Sequence, residues 1–276
     1  MERSEFRKEI VFIGVFGIFI FIWALSQPFN TAPDEHMRFW ICKYLYQYHT
    51  LPHGGDPLLR DGIWGYSYAF FPILSNMLSA VFMTMVSFIS TNEFVLVMAA
   101  RMVSLLCGVG TAWFVLRIGD ALWEGRRIYK WMFAIMTMLL PQSVFLFTYI
   151  NNDSLALLAT AMIIYAWILG QKSDWSYRSC FLLAAGICLC ALSYYNAYGV
   201  ILASMLLFGG YLFLNWRDAG MRVLLLKKGA LISAVVLCGI SWWFIRNGIL
   251  YDGDILGLAT SEEYSQLYGA EQVKPS

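Results

Sequence analysis

Seven long apolar runs recur along the chain, each close to the length that an α-helix needs to cross a lipid bilayer. A span takes about 20 mostly apolar residues, because the hydrocarbon core is roughly 30 Å thick. With 59% hydrophobic and only 13% charged residues, a soluble domain of this composition would expose large apolar patches. The sequence therefore predicts an all-α membrane protein with about seven transmembrane helices. The runs lie at residues 9–26, 94–116, 131–149, 154–170, 179–195, 198–214 and 229–246.

Charge and cysteine content exclude several other classes of protein. The net charge of +1 gives no basic footprint for a nucleic acid. Five of the six cysteines lie inside the apolar runs, with no spacing typical of a disulfide framework or a metal site. Together with the apolar runs, this leaves membrane lipids, and not a nucleic acid, as the expected partners.

The distribution of lysine and arginine predicts the orientation in the membrane. An eighth apolar stretch, 68–90, is long enough to span, but Pro72, Ser75 and Asn76 in its middle favour an interfacial or broken helix. If it does not span, 13 of the 19 basic residues fall on the cytoplasmic side. We therefore expect a multi-pass protein of the cell membrane with a cytoplasmic N-terminus and an external C-terminus. A signal peptide ending at Ala24-x-Ser26 is a less favoured alternative, because the apolar stretch is long and aromatic.

This topology predicts a module over 1–258 with an external loop at 27–93, followed by a polar external tail at 259–276. A loop of that length is usually functional. Apolar and aromatic side chains recur in it at helical spacing, which predicts interfacial helices, beginning with one that lies on the bilayer surface. Thr31 is the expected N-cap of that helix, with Asp34 three residues later. The recurring residues are Met37, Trp40, Ile41, Tyr44, Leu45 and Tyr48.

The start of this loop carries the densest set of ionisable side chains, Asp34-Glu35-His36-x-Arg38. One interpretation is structural, because a carboxylate in the first turn of a helix stabilises the helix dipole. The other is chemical. The dipole favours the ionised form of Asp34, which suits it to accept a hydrogen bond from an attacking hydroxyl or to coordinate a divalent cation.

Two further patterns fall on the same predicted face. Asn151-Asn152-Asp153-Ser154 lies in a short connection and is, by itself, an ordinary helix-capping turn. Because it faces the same side as Asp34, it supplies a second acid, and the two acids can flank a substrate or a metal. Arg101 lies about two turns inside the second run, and Arg246 ends the last one. Because an unpaired cation at membrane depth is expensive, we expect each arginine to find an anion or to face a polar cavity, and we predict one shared outward-facing cavity.

The order of these motifs resembles the GT-C superfamily of integral membrane glycosyltransferases, which includes protein O-mannosyltransferases and the lipid A aminoarabinose transferase. The resemblance covers the chain up to about Leu258. It rests on one span, a large external loop opening with Pro33-Asp34-Glu35, an early arginine in Ala100-Arg101, the turn Asn151-Asn152-Asp153-Ser154, and Arg246-Asn247-x-x-x-Tyr251-x-Gly253.

The resemblance implies transfer of a sugar from a polyprenyl-phosphate or polyprenyl-diphosphate donor to an acceptor hydroxyl outside the membrane. Asp34 would activate the acceptor, aided by Glu35. If a divalent cation takes part, Asp34 and Asp153 would bind it; no soluble cofactor is implied. Trp64, Tyr66 and Tyr68 are candidates for stacking on sugar rings. The implied substrate-binding residues are His36, Arg38, Arg101, Asn152, Asp153 and Arg246.

Two other classes stay open at this point. The first is a non-catalytic module that binds or flips polyprenyl-linked sugars, or a subunit that a second membrane chain completes, because superfamily members usually continue through further spans. The second is a channel or transporter. It is weaker, because ionisable side chains inside the runs are almost limited to Arg101 and no inverted repeat is visible.

Overall fold

A computed structural model describes residues 2–270, and this part of the chain is helical, with no strand. Two short 3-10 turns, Tyr68–Phe70 and Tyr195–Ala197, separate α-helices. The α-helices, in chain order, are α1 (Glu2–Ser26), α2 (Glu35–Tyr48), α3 (Leu74–Ser87), α4 (Glu93–Leu122), α5 (Arg127–Met138), α6 (Pro141–Leu146), α7 (Asp153–Lys172), α8 (Tyr177–Ala191), α9 (Tyr198–Leu214), α10 (Ala219–Leu250) and α11 (Leu258–Tyr268).

Five helical segments in residues 2–270 are long and apolar enough to cross a membrane, which supports the predicted class of all-α membrane protein. They coincide with five of the seven predicted spans. The predicted count of seven is not confirmed, because two of the expected spans are too short as helices. The five segments are Ser4–Ser26, Glu93–Leu122, Asp153–Lys172, Tyr195–Leu214 and Ala219–Leu250.

Local backbone chemistry accounts for the two shorter elements. The predicted span 131–149 is divided into α5 and α6 at Pro141, which lacks the N–H of a continuing helix and instead begins the next one. The predicted span 179–195 ends early, since α8 stops at Ala191 after 15 residues. Just beyond its end, the Ser193 hydroxyl donates to the Cys190 carbonyl at 2.9 Å, a local bond that competes with helix continuation.

The described residues form two compact units. The bundle unit comprises 2–22, 105–147 and 153–240, and the loop unit comprises 23–104, 148–152 and 241–270. The division runs through α1, α4 and α10. Most of the apolar spans therefore belong to the bundle unit, whereas the predicted external loop belongs to the loop unit.

The core of the bundle unit lies where α7 packs on α8. A Cβ on Gly186 would stand 2.8 Å from Cγ1 of Ile163, so a glycine is needed for this close approach. Small residues at helix contacts are typical of membrane proteins, in which dispersion rather than water exclusion holds helices together. The buried core residues are Ala159, Ile163, Ala166, Trp175, Cys180, Leu183, Ala184, Ile187, Cys190, Leu225 and Ile232.

The loop unit is built around α2 and α3. The predicted surface helix is present as α2, but its buried face includes Glu35, Arg38 and Phe39 beside apolar residues. The helix α3 has 14 residues, which agrees with the expectation that 68–90 is broken rather than spanning. Their shared core contains Phe39, Cys42, Met83, Leu96, Val97, Ala99, Ala100 and Ile150.

Much of the predicted tail 259–276 is an ordered part of the loop unit. Most of α11 falls in this segment, and the Tyr264 ring of α11 packs 5.3 Å from the Phe70 ring. The backbone N–H of Ala270 donates to the Ile63 carbonyl at 3.0 Å. The loop predicted to be external and the segment after α10 therefore fold together. Residues 271–276 lie outside the described part of the chain.

Candidate functional site

The turn between α1 and α2 holds its residues in an uncommon backbone conformation. Asn30 has φ 63° and Asp34 has φ 56°, both in the left-handed region that asparagine and aspartate tolerate better than most residues. Such residues cluster at functional sites, where the surrounding structure imposes the conformation. Asp34 is the N-cap residue of α2, but its side chain makes no capping hydrogen bond. The prediction of Thr31 as N-cap is wrong, because its hydroxyl donates backwards to the Pro28 carbonyl at 2.9 Å.

The neighbouring acid, Glu35, turns inward and pairs with Arg101 of α4. Arg101 Nε lies 2.8 Å from Glu35 Oε1 and Nη2 lies 2.9 Å from Oε2, a two-point contact between guanidinium and carboxylate. Both residues are almost completely buried, with 0% and 1% of their surface exposed. The anion that the buried Arg101 needs is therefore supplied by the protein itself.

Arg101 uses its remaining N–H groups on the end of α1. Nη1 donates to the carbonyls of Ala24 at 2.6 Å and Gln27 at 2.8 Å, and Nη2 reaches the Pro28 carbonyl at 3.5 Å. The last carbonyls of a helix have no partner within the helix and carry its negative dipole end. With Glu35, these contacts occupy all five donors of the guanidinium. None remains for the phosphate that Arg101 was predicted to bind.

The Glu35 carboxylate is similarly saturated. Besides Arg101, it accepts the backbone N–H of Asn30 at 2.9 Å and that of Ile150 at 3.3 Å. A buried ion pair contributes to stability only when hydrogen bonds satisfy its remaining lone pairs and protons, and this pair meets that condition. The geometry gives Glu35 a structural role, whereas the sequence predicted an aid to catalysis.

Asp34, in contrast, remains open on one side. Its Oδ2 accepts the Tyr68 hydroxyl at 2.7 Å, and Oδ1 has no hydrogen-bond donor in residues 2–270. Above the Tyr68 ring lies the Arg38 guanidinium, with its central carbon 3.8 Å from the ring centroid. Arg38 is only 6% exposed as a whole residue, and its guanidinium has no carboxylate or hydrogen-bond acceptor within the described chain, but its nitrogen atoms are not fully buried. A free carboxylate oxygen and a cation without an anion thus flank one tyrosine.

The tyrosines keep their protons in this environment. Burial raises the pKa of Tyr68 well above its usual range, and the hydrogen bond to Asp34 raises it further, although Arg38 opposes this. Burial likewise raises the pKa of Tyr66, whose ring lies 5.9 Å from that of Tyr68. Tyr68 is therefore a hydrogen-bond donor to Asp34 throughout the physiological pH range.

His36 belongs to a separate polar cluster on the first turn of α2. Its Nδ1 lies 2.8 Å from Asn30 Oδ1 and its Nε2 lies 3.2 Å from Asp61 Oδ2. Burial tends to raise the pKa of Asp61, but the backbone N–H groups of Trp64 and Ile63, together with His36, hold it below its usual value. His36 is thus a hydrogen-bonding residue that joins α2 to the loop. The sequence offered only a turn signal at Asp61, so this contact was missed.

The Asn151-Asn152-Asp153 motif is divided between the two units. Residues 148–152 run through the loop unit, where Asn152 Nδ2 donates to the Pro72 carbonyl at 3.1 Å and Ser75 donates to the Asn151 carbonyl at 2.8 Å. Oδ1 of Asn152 is buried without a donor in the described chain. Asp153 is the first residue of α7 in the bundle unit, where its charge suits the helix dipole.

Arg246 anchors the loop rather than joining Arg101. Nη2 donates to the Pro52 carbonyl at 2.6 Å, and Nη1 donates to Asn247 Oδ1 at 3.1 Å. Arg101 lines a cavity of about 430 Å³ at the end of α1, and Arg246 is not among the residues that line it. The structure therefore does not bring the two arginines together there.

The donor set for a divalent cation is incomplete. In the part of the chain that is described, no three His, Cys, Asp or Glu side chains are arranged to hold a metal ion. Asp34 contributes a single carboxylate, with a tyrosine and an arginine as its neighbours. The residues present do not fit the metal site that the sequence left open for Asp34 and Asp153.

The chain matches no protein-family model, no curated protein and no solved structure. Its described residues form an all-helical fold with five helices long and apolar enough to cross a membrane, and with an open aspartate and an unpaired arginine at the start of α2.

The structural role of Glu35 predicts a loss of stability in Glu35→Gln. This substitution would leave the Arg101 guanidinium buried without its anion, at a cost of roughly 3–5 kcal/mol. Thermal unfolding of the purified protein in detergent would measure it. Glu262→Gln, at an exposed acid on α11, is the matched control and should unfold like the parent protein. A Glu35→Gln protein of normal stability would instead favour the chemical role predicted from the sequence.

Proposed function

We propose that this protein is a glycosyltransferase of the GT-C type, which moves a sugar from a polyprenyl-phosphate or polyprenyl-diphosphate donor to an acceptor hydroxyl at the outer face of the membrane. The observation that carries the proposal is the pairing of Asp34 and Arg38 around Tyr68. One offers a carboxylate oxygen without a donor, and the other a guanidinium without an anion. Glycosyl transfer from a lipid phosphate needs both chemistries.

Asp34 is the proposed proton acceptor. It is the N-cap residue of α2 and therefore precedes the first residue of the helix. Its backbone is left-handed, and its side chain makes no capping hydrogen bond to the helix. The free Oδ1 can therefore accept the proton of an acceptor hydroxyl, while Tyr68 holds Oδ2 at a fixed distance.

Arg38 is the proposed phosphate-binding cation, in place of Arg101. Its N–H groups have no acceptor within the described chain, and a bound phosphate would supply a counter-ion with charge-assisted hydrogen bonds. The contact with the Tyr68 ring holds the guanidinium in place without using its N–H groups. The helix itself sets the spacing, because the Arg38 N–H donates to the Asp34 carbonyl at 3.1 Å and the two residues are four positions apart.

The proposed reaction is a direct displacement. The acceptor oxygen forms a bond to the anomeric carbon as the bond from that carbon to the phosphate oxygen breaks. The electron pair leaves with the phosphate, where Arg38 stabilises the charge, and the proton of the acceptor passes to Asp34. Attack from the face opposite the phosphate inverts the anomeric configuration. No metal and no soluble cofactor enters this scheme.

The other candidates serve as supports in this proposal. Glu35 and Arg101 position the start of α2, and His36 ties that turn to the loop. Asn152 ties its turn to the loop through the Pro72 carbonyl, and Arg246 positions the loop through Pro52. Tyr66 remains a candidate for stacking on a sugar ring.

A non-catalytic module that binds polyprenyl-linked sugars, alone or with a second membrane subunit, is the alternative function. It is favoured by the bond from Tyr68 to Asp34, because that bond already occupies one of the two carboxylate oxygens. Such a module needs Arg38 but not the charge of Asp34. The two functions therefore respond differently to one substitution.

That substitution is Asp34→Asn. Asparagine also tolerates the left-handed conformation and can still accept the Tyr68 hydroxyl, but it cannot take a proton. We expect sugar transfer from a polyprenyl-phosphate donor to fall by about 10² to 10⁴, with donor binding and thermal stability retained. A transfer assay on purified protein with candidate donor sugars measures the change.

The matched control is Asp252→Asn, which changes an exposed aspartate with a similar left-handed backbone, φ 50°. Its transfer rate should equal that of the parent protein. Full transfer by the Asp34→Asn protein would exclude Asp34 as the proton acceptor. Donor binding without any transfer by the parent protein would favour the non-catalytic module.

The proposed orientation has residues 27–93 and 247–276 outside the cell membrane and residues 117–130 inside. An engineered cysteine at the exposed Glu262 should react in intact cells with a maleimide that cannot cross the membrane, whereas one at Glu124 should react only after permeabilisation. The parent protein, with its native cysteines, gives the background. Labelling of Glu124→Cys alone in intact cells would reverse the orientation.

A further inference from the structure

The bundle unit contains a charged cavity that the proposed transfer reaction does not use. Its volume is about 500 Å³, and it lies where the first turns of α1 meet the end of α4 and the start of α5. Four cationic and three acidic side chains line it, an unusual density in a chain with so few charges. The lining residues are Glu5, Phe6, Glu9, Arg117, Asp120, Trp123, Gly125, Arg126, Arg127 and Lys130.

The acids of this cavity are already neutralised. Glu9 is 3% exposed and accepts hydrogen bonds from both Arg117 and Lys130. Asp120 lies 3.0 Å from Arg117, and Glu5 lies 3.0 Å from Arg127. Each carboxylate therefore has at least one cationic partner, and this network forms a fixed polar wall.

Arg126 is the cation left over. It is exposed and makes no ion pair or hydrogen bond through its guanidinium to the described residues; its nearest aromatic neighbour is the Tyr129 ring at 6.0 Å. Deeper in the network, Arg117 Nε is buried without an acceptor in residues 2–270. Arg126 is also the N-cap residue of α5 and gives no side-chain cap to the first N–H groups of that helix. The cavity therefore presents a net positive charge.

An apolar surface adjoins this positive cavity. Phe6 and Ile10 of α1 and Ile128 and Met132 of α5 are exposed large hydrophobic side chains. The cavity also lies near the ends of two helices, α1 and α4, that are long and apolar enough to span a membrane. A cationic pocket at the end of spans, beside an apolar surface, complements a lipid that carries a negative headgroup and acyl chains.

We propose that this cavity binds the phosphate of an anionic phospholipid, with Arg126 as its main contact and the acyl chains along the exposed faces of α1 and α5. The site is independent of the sugar-transfer proposal, because Asp34, Tyr68 and Arg38 do not line this cavity. Its ligand is a structural lipid, bound in the membrane rather than consumed.

Native mass spectrometry of the purified full chain tests the proposal. Phosphatidylglycerol and phosphatidylcholine with the same acyl chains would be added separately, and the bound lipid counted. We expect the parent protein to retain phosphatidylglycerol preferentially. Because one basic residue near a lipid headgroup contributes on the order of 1 kcal/mol, Arg126→Gln should reduce this preference about fivefold, and Arg126→Lys should largely restore it.

Arg178→Gln is the matched control. Arg178 is exposed in the same unit and does not line the cavity, and its substitution by glutamine removes the same charge. An equal loss of preference in Arg178→Gln would mean diffuse attraction and would overturn the proposal. Equal retention of the two lipids by the parent protein would also overturn it. Inorganic phosphate forms a third arm: if it displaces phosphatidylglycerol at millimolar concentration, the cavity binds a free anion rather than a lipid.

Discussion

The ion pair between Glu35 and Arg101 is the contact on which the loop unit depends. A single guanidinium reaches the end of α1, the start of α2 and, through Glu35, the backbone N–H of Ile150. Removing two charges from water is expensive, and only a complete set of hydrogen bonds offsets that expense. Because all five donors of Arg101 find acceptors, the pair fixes one geometry for the turn and disfavours alternatives that would leave a donor unpaired.

This geometry separates two adjacent acids. With Glu35 turned inward as the first residue of α2, Asp34 is left outside the helix in a left-handed conformation, facing Tyr68. One turn further along, Arg38 has its backbone in the helix and its guanidinium on the same tyrosine. The buried pair thus provides the support, and the open aspartate and the unpaired arginine provide the chemistry proposed for the site.

The helical class and the presence of helix α2 could be predicted from the sequence, because apolar length and helical periodicity depend on short stretches of chain. The break at Pro141 was also visible in principle, but hydropathy averaged over 131–149 concealed it. The roles of Glu35 and Arg101 could not be predicted in this way. They are 66 positions apart, and nothing local shows which of two neighbouring acids an arginine will choose.

The contacts of Tyr68 and Asp61 could not be predicted from local sequence either. An aromatic residue in an external loop is consistent with membrane anchoring, sugar stacking or a hydrogen bond, and only its position relative to Asp34 favours the last. Asp61 precedes a glycine and indicates a turn, which is present, but its bond to His36 depends on how that turn packs against α2. Residue types restrict the possible chemistry, whereas the choice among them depends on long-range packing.

The central claim is that Arg38, and not Arg101, is the cation available to a lipid phosphate. The most direct test is the affinity of the purified protein for a short-chain polyprenyl phosphate, compared between Arg38→Gln and Arg60→Gln. Arg60 stacks on Tyr268 at 3.7 Å much as Arg38 stacks on Tyr68, so it matches the charge and the aromatic contact. Since a hydrogen bond to a charged group contributes about 1.5–3 kcal/mol, Arg38→Gln should weaken binding roughly tenfold to a hundredfold, with Arg60→Gln unchanged. Equal affinity in the parent protein and both variants would contradict the claim.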